Sequence, residues 1–336
     1  MGRTIEARRA FSDTRFQQLR AALVQAPIIC SDKACVYATG SFGRQEASQF
    51  SDLDLFIASL SSERNGIETS LLSKLDEILL KADLIRQSVD LQFPPFSQDG
   101  RFLQNHTAAR LIRSTGNQFD DAENTFTARL LLLLESRPLV GEDIHAKIID
   151  DVIERYWREF PGRSHRFMPA YLANDILRYW RTLCLNYEAS TSGHLPGAQP
   201  SHERAKRKIK NYKLKHSRML TCYSAVLYLL FIYEMNKTIN PVEARDMVSL
   251  TPTGRLNFVA SQATDSKIAS SIFELLEKYE RFLDVTNASE EDLIARFSEE
   301  AEADRLRDEQ SEFGDLAYTV LFSVGHENRL YRRLVI

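Results

Sequence analysis

The spacing of apolar residues divides the chain into a mixed N-terminal part and a helical remainder. Apolar positions at helical spacing predict helices over 5–26 and 67–82. Runs at 34–39 and 52–59 have strand character and stand on either side of a polar turn. The alternating run at 88–93 predicts a third strand, which ends at two prolines that cannot donate to a sheet.

Beyond residue 104 the period changes to that of helices, and strand signals nearly vanish. A stretch rich in small residues, glycine and proline at 189–201 predicts a loop. We therefore expect an α+β chain, with a small mixed sheet in residues 1–104 and a larger all-helical region in 105–336. The predicted helices cover 105–115, 122–136, 142–160, 168–188, 202–237 (with a break near 215), 241–249, 265–284 and 289–311.

Composition places the chain among ordinary folded proteins and excludes several classes. Of its 336 residues, 43% are hydrophobic and 26% are charged, so the chain can bury a core. The net charge of −3 gives no overall case for nucleic-acid binding. No apolar run is long enough to predict a membrane span, and the start of the chain lacks the apolar region of a signal peptide. Four cysteines and seven histidines show no zinc-ligand spacing, so we expect reduced thiols, no zinc site and a cytoplasmic location.

Candidate chemistry is concentrated in the stretch 36–57. A first strand leads into Gly40-Ser41, and a second apolar run carries Asp52 and Asp54 with one residue between them. Side chains alternate along a strand, so the two carboxylates point the same way and repel each other unless a cation lies between them. A divalent metal supplies that charge, and the backbone N–H groups and hydroxyl of the turn can bind a phosphate. The stretch therefore predicts phosphoryl or nucleotidyl transfer.

The order of strand, Gly-Ser turn and Asp-x-Asp resembles the DNA polymerase β-type nucleotidyltransferase superfamily. The residues between the two motifs, including Arg44 and Glu46, are similar to the branch of uridylyl- and adenylyltransferases and of small antibiotic or toxin-type transferases. The resemblance covers a small part of the chain. It implies a mixed-sheet nucleotidyltransferase core, in which Gly40 and Ser41 hold the β,γ-phosphates of an NTP and the aspartates bind Mg²⁺ or Mn²⁺.

The superfamily carries a third carboxylate on a neighbouring strand, between two hydrophobic residues. Asp90, between Val89 and Leu91, is the candidate, and it would complete a second metal site or take the proton from the acceptor hydroxyl. The alternative is an aspartate on the solvent face of an edge strand. Together Asp52, Asp54 and Asp90 are the predicted catalytic and metal-binding residues.

Cations near the phosphates are the next candidates. Arg44 could help to position the triphosphate, or it could form a local salt bridge with Glu46. Eight cations and no acid occupy 204–218, which indicates an anionic partner. The resemblance implies that such cations reach the triphosphate, and a groove for RNA or acidic protein and a solvated face remain alternatives. The nucleotide-binding candidates of this run are Lys206, Lys210, Lys213 and Ser217.

The sequence leaves the identity of the acceptor open. A protein side chain is favoured by the similarity to the uridylyltransferase of nitrogen regulation, and a tRNA end is favoured by the basic run. Another nucleotide would make the chain a synthase of cyclic oligonucleotide messengers. A catalytically inactive nucleotide-binding scaffold is a hypothesis from another class.

Overall fold

The computed structural model describes residues 2–96, 100, 103–191 and 201–335. The chain forms two compact units. The first, the N-terminal unit, is Glu6–Arg158, and the second, the helical unit, combines Glu159–Ile336 with Met1–Ile5. The part of the predicted loop that covers 192–200 lies outside the described residues.

The N-terminal unit is α+β, as predicted. In chain order its elements are α1 (Arg3–Ala22), α2 (Gln25–Cys30), β1 (Ala34–Ala38), α3 (Gly40–Gly43), β2 (Leu55–Ser59), β3 (Ser61–Arg64), β4 (Ile67–Ser70), α4 (Lys74–Asp90), β5 (Asn105–Thr107), α5 (Ala108–Arg113), α6 (Phe119–Ala122), α7 (Thr125–Glu135), β6 (Arg137–Val140) and α8 (Glu142–Tyr156). The residues of α1 up to Ile5 belong to the helical unit.

The principal sheet of this unit has four strands in the order β5-β2-β1-β6. Strand β1 pairs antiparallel with β2 and β6, and β2 pairs parallel with β5. One face of the sheet, which includes Val36 and Ile57, joins a core with residues of α1, α2 and α4. On the other face Tyr37 stacks on Phe56 and contacts His145 of α8. Strands β1 and β2 are buried on both faces, so they read as continuous apolar runs.

Two strands lie beyond residue 104, where none was predicted. Strands β5 and β6 are only three and four residues long, and both add to the sheet edges of the N-terminal unit. For this reason the unit extends to Arg158 instead of ending at the predicted boundary after 104. Residues 67–70, predicted as the start of a helix, form the second strand of the hairpin β3-β4.

The predicted strand over 88–93 is wrong. Residues up to Asp90 belong to helix α4, which buries Leu80, Leu84 and Ser88 at helical spacing. This packing against the core continues the helix through the first residues of the alternating run. The period-2 pattern of 88–93 therefore does not reflect a sheet.

The helical unit contains short 3-10 turns at Phe160–Gly162 and Ser164–Arg166 and a series of helices. The helices are α9 (Ala170–Thr191), α10 (Ser201–Lys213), α11 (Met219–Asn236), α12 (Pro241–Ser249), α13 (Pro252–Gln262), α14 (Ser266–Val285), α15 (Glu290–Ser298), α16 (Glu300–Gly325) and α17 (Arg329–Val335). A π-helical turn, Leu214–Arg218, joins α10 to α11, where the sequence predicted a break.

The core of the helical unit is built around α11, whose side chains are buried almost all round. It packs against α9, α13 and α16. The continuous helical stretch Ser201–Asn236 is long and apolar enough to cross a membrane by length and composition, and 78% of its most apolar window is buried inside the protein. Core helices of soluble proteins pass the same test. Of the four thiols, Cys30, Cys35 and Cys222 are buried and Cys184 is half-buried.

Candidate functional site

The Gly-Ser turn brings the backbone of Gly40 against the carboxylate of Asp54. Strand β1 ends at Ala38, and the Thr39 N–H donates to the Asp54 carbonyl oxygen at 2.9 Å. Gly40 has a φ of +63°, a left-handed conformation that glycine adopts at little cost. A Cβ at this position would lie 2.6 Å from Asp54 Oδ2. Only glycine therefore allows both the backbone direction and the close approach.

The turn presents backbone N–H groups that need acceptors. Helix α3 begins at Gly40 and lasts for one turn, so the first N–H groups have no partner within the helix. Within the part of the chain that the structure describes, no hydrogen bond is formed by the N–H groups of Ser41 and Phe42 or by the Ser41 hydroxyl. Such groups can donate to the oxygens of a phosphate.

Local hydrogen bonds fix the segment between the turn and the two aspartates. The Glu46 N–H donates to the Ser41 carbonyl oxygen at 2.8 Å. The Ala47 N–H donates to Ser12 Oγ of α1 at 2.8 Å. The Ser48 N–H donates to Ser51 Oγ at 2.9 Å. The segment is thus tied to α1 and to itself, and the positions of the turn and the aspartates depend on each other.

A buried network of charges lies directly behind the turn. Arg44 donates from Nε to Glu46 at 2.5 Å and from a terminal nitrogen to Glu135 at 2.7 Å. Glu135 also accepts the Gly40 N–H at 3.1 Å. All three side chains are less than a tenth exposed. Arg44 therefore forms the salt bridge with Glu46 that was the predicted alternative, and this salt bridge supports the turn.

Glu135 is the residue of this site that the sequence did not indicate. It ends helix α7 and lies far from Gly40 in the chain. Gly43 is needed for the same contact, because a Cβ there would lie 1.9 Å from the Glu135 carbonyl oxygen. The available signal was a single acid at the end of the run Leu130–Leu134, since an acid at the end of a buried apolar helix requires a partner.

Asp52 and Asp54 lie immediately before strand β2 and not within it. Leu53 and Leu55 are fully buried, whereas Asp52 is exposed and Asp54 half-buried, so the alternation expected of extended chain is confirmed. Among the described residues no lysine or arginine forms an ion pair with Asp52. The Asp54 carboxylate stands beside the turn, and Asp52 precedes it by two residues. The two carboxylates and the N–H groups of the turn form the candidate site.

The structure does not give Asp90 the place that was predicted for it. Asp90 is the last residue of α4 and is exposed to solvent. Besides β1, the strand that pairs with β2 is β5, and its three residues are Asn105, His106 and Thr107. No group of three metal-ligating side chains occurs in the described parts of the chain. The third carboxylate is therefore withdrawn from the site.

A cavity of about 270 Å³ opens beside the turn in the same unit. Ser48, Gln49 and Ser51 line it from the segment before Asp52. The other walls are Phe42 and residues of α1 and of the chain after α4, namely Phe11, Arg15, Leu91, Gln92, Phe93 and Pro94. Arg15 lies over the Phe93 ring at 4.3 Å and donates to the Leu91 carbonyl oxygen at 2.7 Å.

The basic run 204–218 belongs to the helical unit, in α10 and the π-helical turn. Lys206 forms an ion pair with Glu290 at 2.9 Å. The buried Ser217 hydroxyl donates to the Lys213 carbonyl oxygen one turn earlier, at 2.9 Å. Lys210 is exposed. Lys206 and Ser217 thus have partners within their own unit, while the predicted role of Lys210 and Lys213 in nucleotide binding stays a prediction.

Comparison of the chain with protein-family models, with curated proteins and with solved structures gave no match.

Proposed function

We propose that the chain is a metal-dependent nucleotidyltransferase, which moves a nucleoside monophosphate from an NTP to an acceptor hydroxyl and releases pyrophosphate. The observation that carries the proposal is the contact between the Gly40 backbone and the Asp54 carboxylate. It joins a set of phosphate-binding N–H groups to a pair of metal-binding acids within one fixed segment. The resemblance of 36–57 to polymerase β-type enzymes supports the same reaction.

The donor set fits Mg²⁺ or Mn²⁺ that arrives with the nucleotide. In sites that act on nucleotides, Mg²⁺ is usually held by one or two carboxylates together with substrate phosphates. Asp52 and Asp54 supply two carboxylates, and Asp52 is exposed to a ligand from solvent. Bound metal would neutralise negative charge on the triphosphate as the leaving pyrophosphate forms.

The remaining roles fall to the turn. The N–H groups of Ser41 and Phe42 and the Ser41 hydroxyl would bind the β,γ-phosphates and orient the α-phosphate for in-line attack. The acceptor oxygen bonds to the α-phosphorus, the bond from that phosphorus to the bridging oxygen breaks, and the acceptor proton leaves to solvent or to a base. Arg44 and Glu135 act as positioning residues, because they hold the turn without facing the substrate. We assign no general base, because Asp90 lies at the exposed end of α4 and not on a strand beside β2.

An inactive nucleotide-binding scaffold is the second candidate. It is favoured by the replacement of the expected third carboxylate by the residues of β5, Asn105, His106 and Thr107. Such a protein would bind Mg²⁺ and NTP at the turn without transferring the nucleotide.

Labelling of the purified chain separates these possibilities. With an NTP labelled at the α-phosphate and Mg²⁺ or Mn²⁺, a nucleotidyltransferase transfers the label to an acceptor, and with γ-labelled NTP the label leaves as pyrophosphate. Label on the protein or on added RNA identifies the acceptor class, whereas a small labelled product indicates a nucleotide synthase. Binding of NTP in calorimetry without any transfer supports the scaffold. Transfer of the γ-label instead of the α-label, or no NTP binding at all, would refute the proposal.

A further inference from the structure

Helix α4 is apolar on two opposite sides, although a surface helix needs only one apolar face. One side is the buried stripe with Leu80 and Leu84, which faces the core of the N-terminal unit. The opposite side also consists of large aliphatic residues, and it faces solvent. Five such side chains on α4 are 44–74% exposed, namely Leu75, Ile78, Leu79, Ile85 and Val89.

The exposed apolar face of α4 continues beyond the helix and is larger than a scattered exposed hydrophobic residue. Leu71, just before α4, and Ile28 on the adjoining helix α2 are also exposed. Together these side chains expose several hundred Å², on the order of the ~800 Å² that each partner gives to a standard-size interface. Monomeric soluble proteins rarely expose so much contiguous apolar surface without a use for it.

The spacing of the face matches a seam between two helices. Leu75, Ile78, Ala82, Ile85 and Val89 follow one another at intervals of four or three residues, the spacing of a and d positions in a coiled coil. The pattern is nearly symmetric about Ala82, which is exposed. In an antiparallel pair Leu75 would meet Val89 of the other helix, and Ile78 would meet Ile85. A small residue at the centre allows the two helices to approach closely.

We propose that this face, the α4 seam, is a homodimer interface in which two copies of α4 pack antiparallel across a two-fold axis at Ala82. A two-fold interface requires one surface that is complementary to itself, and the symmetric spacing provides it. The exposed side chains of the face approach the area that each partner gives to a standard interface. The proposal rests on the exposed face of α4 and is independent of the proposed function.

The charges beside the seam argue for a protein partner over a lipid surface. Helices that lie on membranes carry mainly lysine and arginine on the polar face. On α4 the three cations, Lys74, Lys81 and Arg86, are outnumbered by the acids Asp76, Glu77, Asp83 and Asp90. Glu77 is also bonded to both Lys74 and Lys81, so part of their positive charge is already compensated.

Sedimentation of the full chain tests the interface. We expect a species of twice the chain mass that dissociates on dilution. In the double variant Ile78→Glu and Ile85→Glu, buried carboxylates would weaken self-association by at least about 100-fold. Both positions are exposed, so the fold should persist, which circular dichroism checks. Phe322→Glu is the matched control, because Phe322 on α16 is as exposed as Ile85, at 44%, and lies outside the seam.

Cysteine cross-linking tests the geometry. Ala82→Cys places two thiols at the proposed axis, and mild oxidation should give a disulfide-linked dimer. Val89→Cys is the control on the same face, since two copies of residue 89 would lie about 20 Å apart in an antiparallel pair. Cross-linking of both variants would indicate parallel pairing and overturn the proposal. A chain that stays monomeric and forms no disulfide-linked Ala82→Cys dimer would also overturn the proposal, even if its α4 bound a different protein. The unaltered chain, with its four native thiols, provides the background.

Discussion

The N-terminal and helical units each contain one charged segment that the sequence connects with a nucleotide, Gly40–Asp54 and 204–218. In the first, the arginine is buried in ion pairs while the two aspartates lie half-buried or exposed. In the second, several cations have partners within their own unit. Besides the Lys206–Glu290 pair, Lys215 lies over the Trp180 ring at 5.2 Å, and Lys208 donates to the Phe297 carbonyl oxygen at 3.5 Å.

The side chains on the inward side of the second segment hold it in place, because they are buried. Tyr212 and His216 are buried, and the His216 ring stacks on Phe282 and Phe313 at 4.7 Å from each. The π-helical turn includes His216, so this turn contributes directly to the core of the helical unit. Charge density along a sequence therefore does not by itself identify a site. What matters is which charges remain available once the unit has packed.

The largest expected effect is that of Asp54→Asn. Loss of a metal-binding carboxylate should lower nucleotidyl transfer at least about a thousandfold, equivalent to some 4 kcal/mol of barrier. Activity is measured with α-labelled NTP. Asp90→Asn is the control and should stay within about twofold of the unaltered chain. Equal losses in both variants would restore Asp90 to the site.

The next largest effect is on stability, for which one ion pair from each segment is compared. Arg44→Met leaves Glu46 and Glu135 buried without their cation and should cost about 3–5 kcal/mol of unfolding free energy. Lys206→Met breaks an exposed pair, for which we expect a much smaller cost. Urea denaturation measures both values. Similar costs for the two variants would contradict the contrast between a supporting charge and a surface charge.

Acid should destabilise both units through buried histidines. Burial lowers the pKa of His216 to about 4, against a small opposing effect of the hydrogen bond to Tyr212. Burial likewise lowers the pKa of His145 to about 4, and burial followed by the charge of Arg110 does the same for His106. The unfolded chain binds these protons near pH 6.5, so stability is complete above that pH and is lost as the pH falls towards 4.

Tryptophan fluorescence can separate the two units, since Trp157 lies in one and Trp180 in the other. In a Trp157→Phe background, Trp180 reports on the helical unit. Adding His216→Phe keeps the ring stack and should reduce the pH dependence of unfolding free energy between pH 4 and 6.5, by up to about 1.4 kcal/mol per pH unit. An unchanged slope would show that folding does not lower the pKa of His216 below its value in the unfolded chain.

The smallest effect concerns the exposed part of the basic run. Arg204→Ala together with Lys210→Ala removes two exposed cations. Contrary to the nucleotide-binding role that the sequence predicts for Lys210, we expect the affinity for Mg²⁺–NTP to change by less than about twofold. Calorimetry at two salt concentrations measures it. A loss of tenfold or more, greater at low salt, would show that the run reaches the triphosphate after all.

Local features of the fold could be predicted because neighbouring residues decide them. Helix α15 begins after Ser289, where a helix was predicted to start, and the Ser289 hydroxyl accepts from the Asp292 N–H at 3.1 Å. A break was predicted near 215, and the helix there is irregular but continuous, since a π-helical turn joins α10 to α11. By contrast, β5 is too short for any period, and only its pairing with β2 makes it a strand.

Sequence alone determined the Gly-Ser turn, the alternation around Asp52 and Asp54, and the α+β class, because each depends on side-chain spacing and backbone freedom within a few residues. Tertiary structure decided the rest. It placed Glu135 behind Gly40, paired Arg44 inward, and kept Asp90 at the end of a helix that the core holds in shape. These outcomes depend on burial against distant residues, and burial is a property of the packed unit that no short stretch of sequence contains.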